Sequence, residues 1–326
     1  MKNFLYRIFL FSIPVIVLAI GCEIYVRNLS TTYKQKKEQF TACADSVEVL
    51  ILGSSHAMDG VEPTQFSLYA YNLAFAGQSI YFDRKMVEKY LPDLPRLKYV
   101  VLMFDYISLY YDHDAPRDFF YKYYFDINYK NRTFYKETFS QFFFVYTPEQ
   151  TISMLINNLK NIRNNNRKDT LIKGWLNTTG SDDERVLAVE RAKLRANGFN
   201  NTVKTWDGGD SVLNDLEALI NLLQSKNITP ILVNYPNYSI IRGFMDASVI
   251  EKNRNAGNSL SQKYQIPYLD YFDDDSFTVS DFFNSDHLNA KGAAKLSKKI
   301  NEVIMNMEVK HIKNEKNVIP LLPKNT

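Results

Sequence analysis

The apolar run Val47-Glu48-Val49-Leu50-Ile51-Leu52 ends in Gly53-Ser54-Ser55, and far downstream a polar stretch, Asp281-Phe282-Phe283-Asn284-Ser285-Asp286-His287-Leu288-Asn289, carries a histidine. A hydroxyl presented from a glycine-containing turn at the end of a buried strand can serve as a nucleophile, and an imidazole is suited to take its proton near neutral pH. Either residue alone has a plainer reading. A serine after a strand is ordinarily a turn former or helix cap, and a solitary loop histidine is ordinarily a surface residue. The chain has four histidines. His56 adjoins the serine and is expected to point away from it, His113 falls in an aromatic insertion and His311 in the tail. His287, flanked by polar neighbours, is therefore the residue expected to pair with Ser55.

Strands and helices must bring these two groups together. Strands are expected at 47–52, about 69–74, 99–105, 228–235 and 267–270, and helices at about 80–91, 211–225, 247–264 and 290–307. The runs Tyr99 to Asp105 and Ile228 to Tyr235 are apolar along their length, as strands covered on both faces are. Such alternation implies an α/β fold, a parallel sheet with helices on both faces. Between about 106 and 209 the pattern breaks into FFYKYYFDINYKNRTFYKETF and then NNLKNIRNNNRKD. This stretch reads as a helical insertion over the carboxyl edge of the sheet, where such folds place ligands, or as a plain hydrophobic cover.

The amino terminus reads as a membrane segment. Phe4 to Ile20 is FLYRIFLFSIPVIVLAI, with Lys2 in front and Glu23 and Arg27 behind. Its uninterrupted apolar part, Ile8 to Cys22, is shorter than the roughly 20 residues of a full span. Tilting, snorkelling of Arg7 and inclusion of Ile24 to Val26 supply the difference, so residues 4–26 are expected in the bilayer. An uncleaved signal anchor over 1–27 is the leading reading. A cleaved signal peptide and a lipoprotein signal, with Leu18-Ala19-Ile20-Gly21 before a lipidated Cys22, are the alternatives. Lys2 and Arg7 compete with Arg27, Lys34, Lys36 and Lys37, so charge leaves the orientation open. Residues 28–46 then read as a polar stalk, 47–310 as the α/β domain and 311–326 as a loose tail.

Bulk composition narrows the function classes. With 326 residues, 45% of them hydrophobic and 23% charged, the chain can bury a sizeable core. A net charge of +3 lacks the single-sign footprint of a nucleic-acid binder, so the basic runs at Lys34, Lys36 and Lys37 and around Arg163, Arg167 and Lys168 read as juxtamembrane and loop charge. Two cysteines, Cys22 and Cys43, make neither a disulfide framework nor a closed zinc site. A nucleotide binder is disfavoured because no glycine-rich phosphate loop follows the first strand. No metal and no cofactor are expected.

Taken together, the motifs resemble the SGNH, or GDSL-like, hydrolase superfamily. Gly53-Ser54-Ser55 looks like its first block, with serine in place of the usual aspartate, and His287, followed by Leu-Asn and Gly292, looks like its last. Gly77, in Asn72-Leu73-Ala74-Phe75-Ala76-Gly77-Gln78-Ser79, resembles the second-block glycine. The resemblance covers roughly 47–105 and 211–305 and implies a three-layer flavodoxin-like sheet. It also implies Ser55 as nucleophile and His287 as base, with an oxyanion hole from the amides of Ser55 and Gly77. Gly-Ser-Ser and His-Leu-Asn are particularly similar to the branch acting on cell-envelope polymers, which includes the alginate O-acetylation and teichoic-acid alanylation proteins.

Two positions depart from the family pattern. Asn284 stands where the family has an aspartate, three residues before the histidine. Its carbonyl can fix the imidazole tautomer without supplying a full charge, and Asp286 is the alternative orienter. The third-block asparagine is missing too, with Asp105 nearest in place. Ionised, Asp105 would repel an oxyanion, so either it is protonated or the hole relies on the amides.

The resemblance thus implies a single-pass inner-membrane protein with its soluble domain on the extracytoplasmic side. The expected activity is that of an O-acyl esterase or O-acyltransferase on exported polysaccharide, beside a polytopic membrane acyltransferase as partner. A catalytically silent glycan-binding or assembly protein of the same fold is the alternative.

Overall fold

The computed structural model describes residues 2–112, 115–130, 148–163, 171–177 and 183–318. Its strands are β1 (Val49–Leu52), β2 (Ala70–Asn72), β3 (Tyr99–Met103), β4 (Thr229–Asn234) and β5 (Tyr268–Asp270). Its helices are α1 (Lys2–Asn28), α2 (Thr32–Cys43), α3 (Ser55–Gly60), α4 (Ile80–Tyr90), α5 (Ala115–Phe125), α6 (Pro148–Arg163), α7 (Asp183–Val186), α8 (Val189–Lys204), α9 (Ser211–Gln224), α10 (Ser239–Arg242), α11 (Ala247–Tyr264) and α12 (Ala290–Val318). The expected strands are present, shorter than the apolar runs suggested because pairing stops before the runs do.

All strand pairs are parallel, in the order β2-β1-β3-β4-β5. Alternation within each strand sends Val49, Ile51, Val101, Met103, Ile231 and Val233 to one face, where they pack with Leu296, Ile300 and Ile304 of α12. On the other face α4 and α9 pack against each other, and α9 against β4, burying Leu219, Ile220 and Leu223. Both faces being covered explains why the central strands carry no polar alternation.

The described chain divides into two compact units, one of Met1–Glu38 with His113–Thr170 and the other of Gln39–Asp112 with Leu171–Thr326. In the first, α1 is long and apolar enough to cross a membrane. Tyr25 donates to Asn158 at 2.9 Å, and Tyr33 stacks on Phe120 at 4.7 Å. The second unit holds the sheet.

Three expectations change. Residues 28–46, expected as a polar stalk, are largely helical. Within them Lys36, expected as exposed juxtamembrane charge, is buried, and Phe40 is buried against Tyr71 and Tyr90. Spacing of the aromatics and aliphatics, not overall polarity, decides that outcome. The expected insertion is divided, 113–170 falling in the first unit and 106–112 and 171–209 in the sheet's unit; residues 131–147, 164–170 (with Arg167 and Lys168) and 178–182 lie outside the described ones, as does His113. Finally, α12 continues to Val318, past the expected end near Met307, and 319–326 lie outside the described residues.

Candidate active site

Ser55 owes its position to a backbone constraint. After β1, Gly53 takes φ +129°, and a Cβ there would fall 2.4 Å from the Cβ of Met103 in β3. Glycine alone lets the chain leave the strand this close to its neighbour. Ser54 is extended and Ser55 opens α3, at the carboxyl end of β1. Asn72 of β2 holds that helix by donating to the carbonyls of Ala57 (2.9 Å) and Val61 (2.8 Å). Under the turn, Asp83 of α4 accepts from the Gly53 amide and from Gln78; burial outweighs those bonds and pushes its carboxyl up to about 7.

The histidine loop is held by side-chain caps instead. Thr278 and Asp281 form a reciprocal capping box, and Lys295 of α12 reaches Asp281 at 2.7 Å. Asn289 caps α12 by accepting from the Gly292 amide at 3.1 Å. Gly292 is required there, because a Cβ would lie 2.1 Å from the Asp281 carbonyl oxygen. Between these anchors the Phe283 amide donates to the His287 carbonyl at 2.8 Å, closing the loop on itself.

The result brings His287 Nε2 to 2.8 Å from Ser55 Oγ, across a sequence separation of 232. On the other side of the ring, Nδ1 lies 3.2 Å from Asn284 Oδ1 in hydrogen-bond geometry and 3.3 Å from Asp286 Oδ1 at ion-pair distance. Asn284 Oδ1 also receives the amides of Asp286 (3.0 Å) and His287 (2.8 Å), so it is shared among three donors. Both candidate orienters thus face the imidazole. Asn284 Oδ1 anchors the loop and is placed to accept from Nδ1, and Asp286 brings a carboxylate to the same side of the ring. With Nδ1 bearing the proton, Nε2 is the acceptor for the Ser55 hydroxyl.

His56 does not point away, contrary to the sequence expectation. Successive side chains on a helix diverge by about 100°, so the residue after Ser55 turns inward, toward the end of β3. There His56 Nδ1 lies 2.6 Å from Asp105 Oδ2, Nε2 lies 3.4 Å from Asp286 Oδ2, and the ring meets His287 edge-on at 4.8 Å. Burial alone would depress this imidazole, but its bonds to the two carboxylates push it up to about 9. Asp105 also accepts from Ser108 Oγ at 2.9 Å. Burial opposes its ionisation, but His56 and Ser108 outweigh it and hold Asp105 below the usual carboxylate range. Asp286, likewise buried, is held well below that range by His287 and His56. Arg195 of α8 donates from Nε to Asp286 Oδ2 at 2.8 Å.

Asp105 is therefore buried against His56 and Ser108 with its carboxyl held low, which goes against the protonated alternative and leaves the one in which the hole relies on the amides. Gly77 sits in the turn after β2 at φ +69°, and its carbonyl accepts from Tyr111. His56, Asp286 and His287 each bring one donor atom within 4.8 Å of the others. Because Asp105 and Arg195 already satisfy part of this set, it reads as an ion-pair network. Sequence reasoning missed His56, Ser108, Asp83 and Arg195. The first could be found from opposite charges at adjacent strand ends, Ser55-His56 and Asp105; Arg195 carries no local signal.

No protein-family model matches the chain, and no curated protein matches it. Among solved structures it is similar to a "putative acylhydrolase" from Bacteroides fragilis NCTC 9343, at 12% identity and a TM-score of 0.39, over 86% of this chain and 99% of that one.

Proposed function

We propose that this protein is a membrane-anchored serine O-acyl esterase or O-acyltransferase of SGNH type, acting on cell-envelope or exported polysaccharide through an acyl-Ser55 intermediate. The observation that carries the reading is the 2.8 Å approach of His287 Nε2 to Ser55 Oγ. In the reaction, Ser55 Oγ bonds to the ester carbonyl carbon while its proton passes to His287 Nε2. The tetrahedral intermediate then expels the alcohol, which takes that proton, leaving the acyl group on Ser55. Water or a sugar hydroxyl, deprotonated by His287, attacks the acyl-enzyme, the acyl–Oγ bond breaks, and His287 returns that proton to Ser55 Oγ. The amides of Ser55 and Gly77 are the proposed oxyanion donors. Asp286 serves as the orienting carboxylate through the imidazolium stage, with Asn284 as its neutral helper.

Membrane anchoring through α1, an extracytoplasmic domain and a polytopic acyltransferase partner belong to the same proposal, with lipidation at Cys22 as the alternative anchor. Acylation of the wild-type protein by a fluorophosphonate and turnover of an activated acetyl ester test the reading. Both are lost in Ser55→Ala. Equal labelling of wild type and Ser55→Ala would overturn it. An acidic group in place of the third-block asparagine favours the silent glycan-binding reading, which glycan binding without turnover, unaffected by Ser55→Ala and His287→Ala, would identify.

A further inference from the structure

We infer that His56 is a positioning residue of this site, a buried imidazolium that neutralises Asp105 at the end of β3 and keeps Asp286 turned toward His287. The inference rests on the reading of Ser55 as nucleophile and extends it to a residue that never touches substrate.

The argument is one of donors and acceptors. Asp105 accepts from Ser108 Oγ through one oxygen, and its other oxygen lies 2.6 Å from His56 Nδ1, where an ionised carboxylate can only accept. Asp286 Oδ2 accepts from Arg195 Nε and faces His56 Nε2. A neutral imidazole has one N–H, so either tautomer would set a nitrogen lone pair against a carboxylate oxygen. Only the doubly protonated ring donates to both.

Charge counting agrees. Asp105 and Asp286 are 2% and 3% exposed, and an ionised carboxylate is seldom buried without a compensating charge. Arg195 answers Asp286 from a side chain that is 46% exposed, and His56 answers Asp105. Two carboxylates, one guanidinium and an imidazolium at His56 sum to zero. Among the described residues, the groups facing His56 are Asp105 after β3, Asp286 and His287 from the loop before α12, Tyr235 after β4 at 6.4 Å between rings, and Phe199 of α8 at 6.4 Å. The Tyr235 hydroxyl is buried without a partner among the described residues, and burial keeps it protonated, so it adds no charge.

This arrangement answers the departure at Asp105. An aspartate in place of an oxyanion donor would oppose negative charge developing at the substrate, and a fixed cation bonded to it cancels that field before reaction.

Two readouts test the assignment on the full-length protein in detergent. In the first, the ring nitrogens of His56 are followed by NMR against pH, the signal being assigned by its loss in His56→Gln. The expected result is an imidazolium through pH 8 that titrates at markedly lower pH in Asp105→Asn. Titration of wild-type His56 in the ordinary histidine range, near 6.5, overturns the inference. In the second, fluorophosphonate labelling of Ser55 slows about 100-fold in His56→Gln and recovers about tenfold when Asp105→Asn is added, because the stranded carboxylate is gone. A single variant labelling at the wild-type rate, or a double variant no faster than the single, overturns it. Failure of wild type to label would instead sink the acyl-serine reading, while the NMR result still decides the charge of His56.

Discussion

Two imidazoles lie 4.8 Å apart at the centre of this site and are set up for opposite tasks. His287 has a hydroxyl on one side and a shared amide oxygen on the other, with Asp286 at ion-pair distance. His56 is sealed between two carboxylates. In the proposed reaction the first ring exchanges a proton with Ser55, whereas the second is held closely by Asp105 at 2.6 Å and faces Asp286 at 3.4 Å. Ring chemistry being equal, the partners distinguish the proposed base from the proposed positioning residue. Asp286 joins the layers, with one oxygen toward each ring.

The contrast yields measurable consequences, the largest at the reacting ring. His287→Ala should lower the rate of Ser55 acylation by about a thousandfold or more, with substrate KM little changed. Loss no greater than that from His56→Gln would mean that the two rings are not distinguished as described.

Next comes the division of labour between the orienters. Asp286→Asn, which keeps shape and removes charge, should cost about 100-fold in acylation, and Asn284→Ala about tenfold. The reverse order in single-turnover kinetics would assign the orienting role to Asn284.

The frames that carry the rings can be compared too. Gly53→Ala should destabilise the fold by about 2 kcal/mol in chemical denaturation, since both its φ and its approach to Met103 forbid a Cβ without movement. An unchanged midpoint would show that β1 and β3 yield more readily than their packing implies.

Smallest is the effect of Asp83. Its folded-state pKa, about 7, lies above the ordinary 3.8, so its contribution to stability is fully present below pH 4 and lost as pH rises through 7. Asp83→Asn should therefore gain on wild type between pH 5 and 8, by about 1 kcal/mol once relaxation lessens the burial cost. A stability difference independent of pH would show that Asp83 is already ionised at pH 5.

Much of the scaffold was legible because it depends on local periodicity. The apolar runs at β3 and β4 and the amphipathic α9, α11 and α12 read correctly from spacing, with errors at ends such as Met307, where no breaker stops α12. Ser55 and His287 could be singled out because each sits at an element boundary in polar company. Harder was α2, whose polar composition concealed the burial of Lys36 and Phe40.

What the sequence determined by itself was the α/β alternation, the apolar amino-terminal helix and the identity of two side chains able to act as nucleophile and base. Tertiary structure alone decided which groups face them: that Arg195 reaches Asp286, that His56 turns inward onto Asp105, and that Asn284 and Asp286 share one imidazole. The reason is physical. Hydrophobic pattern is written in neighbouring residues, whereas the charge state of a buried group depends on partners that the chain supplies from distant positions, as with His56 and Asp105 at a separation of 49 and His56 and Asp286 at 230.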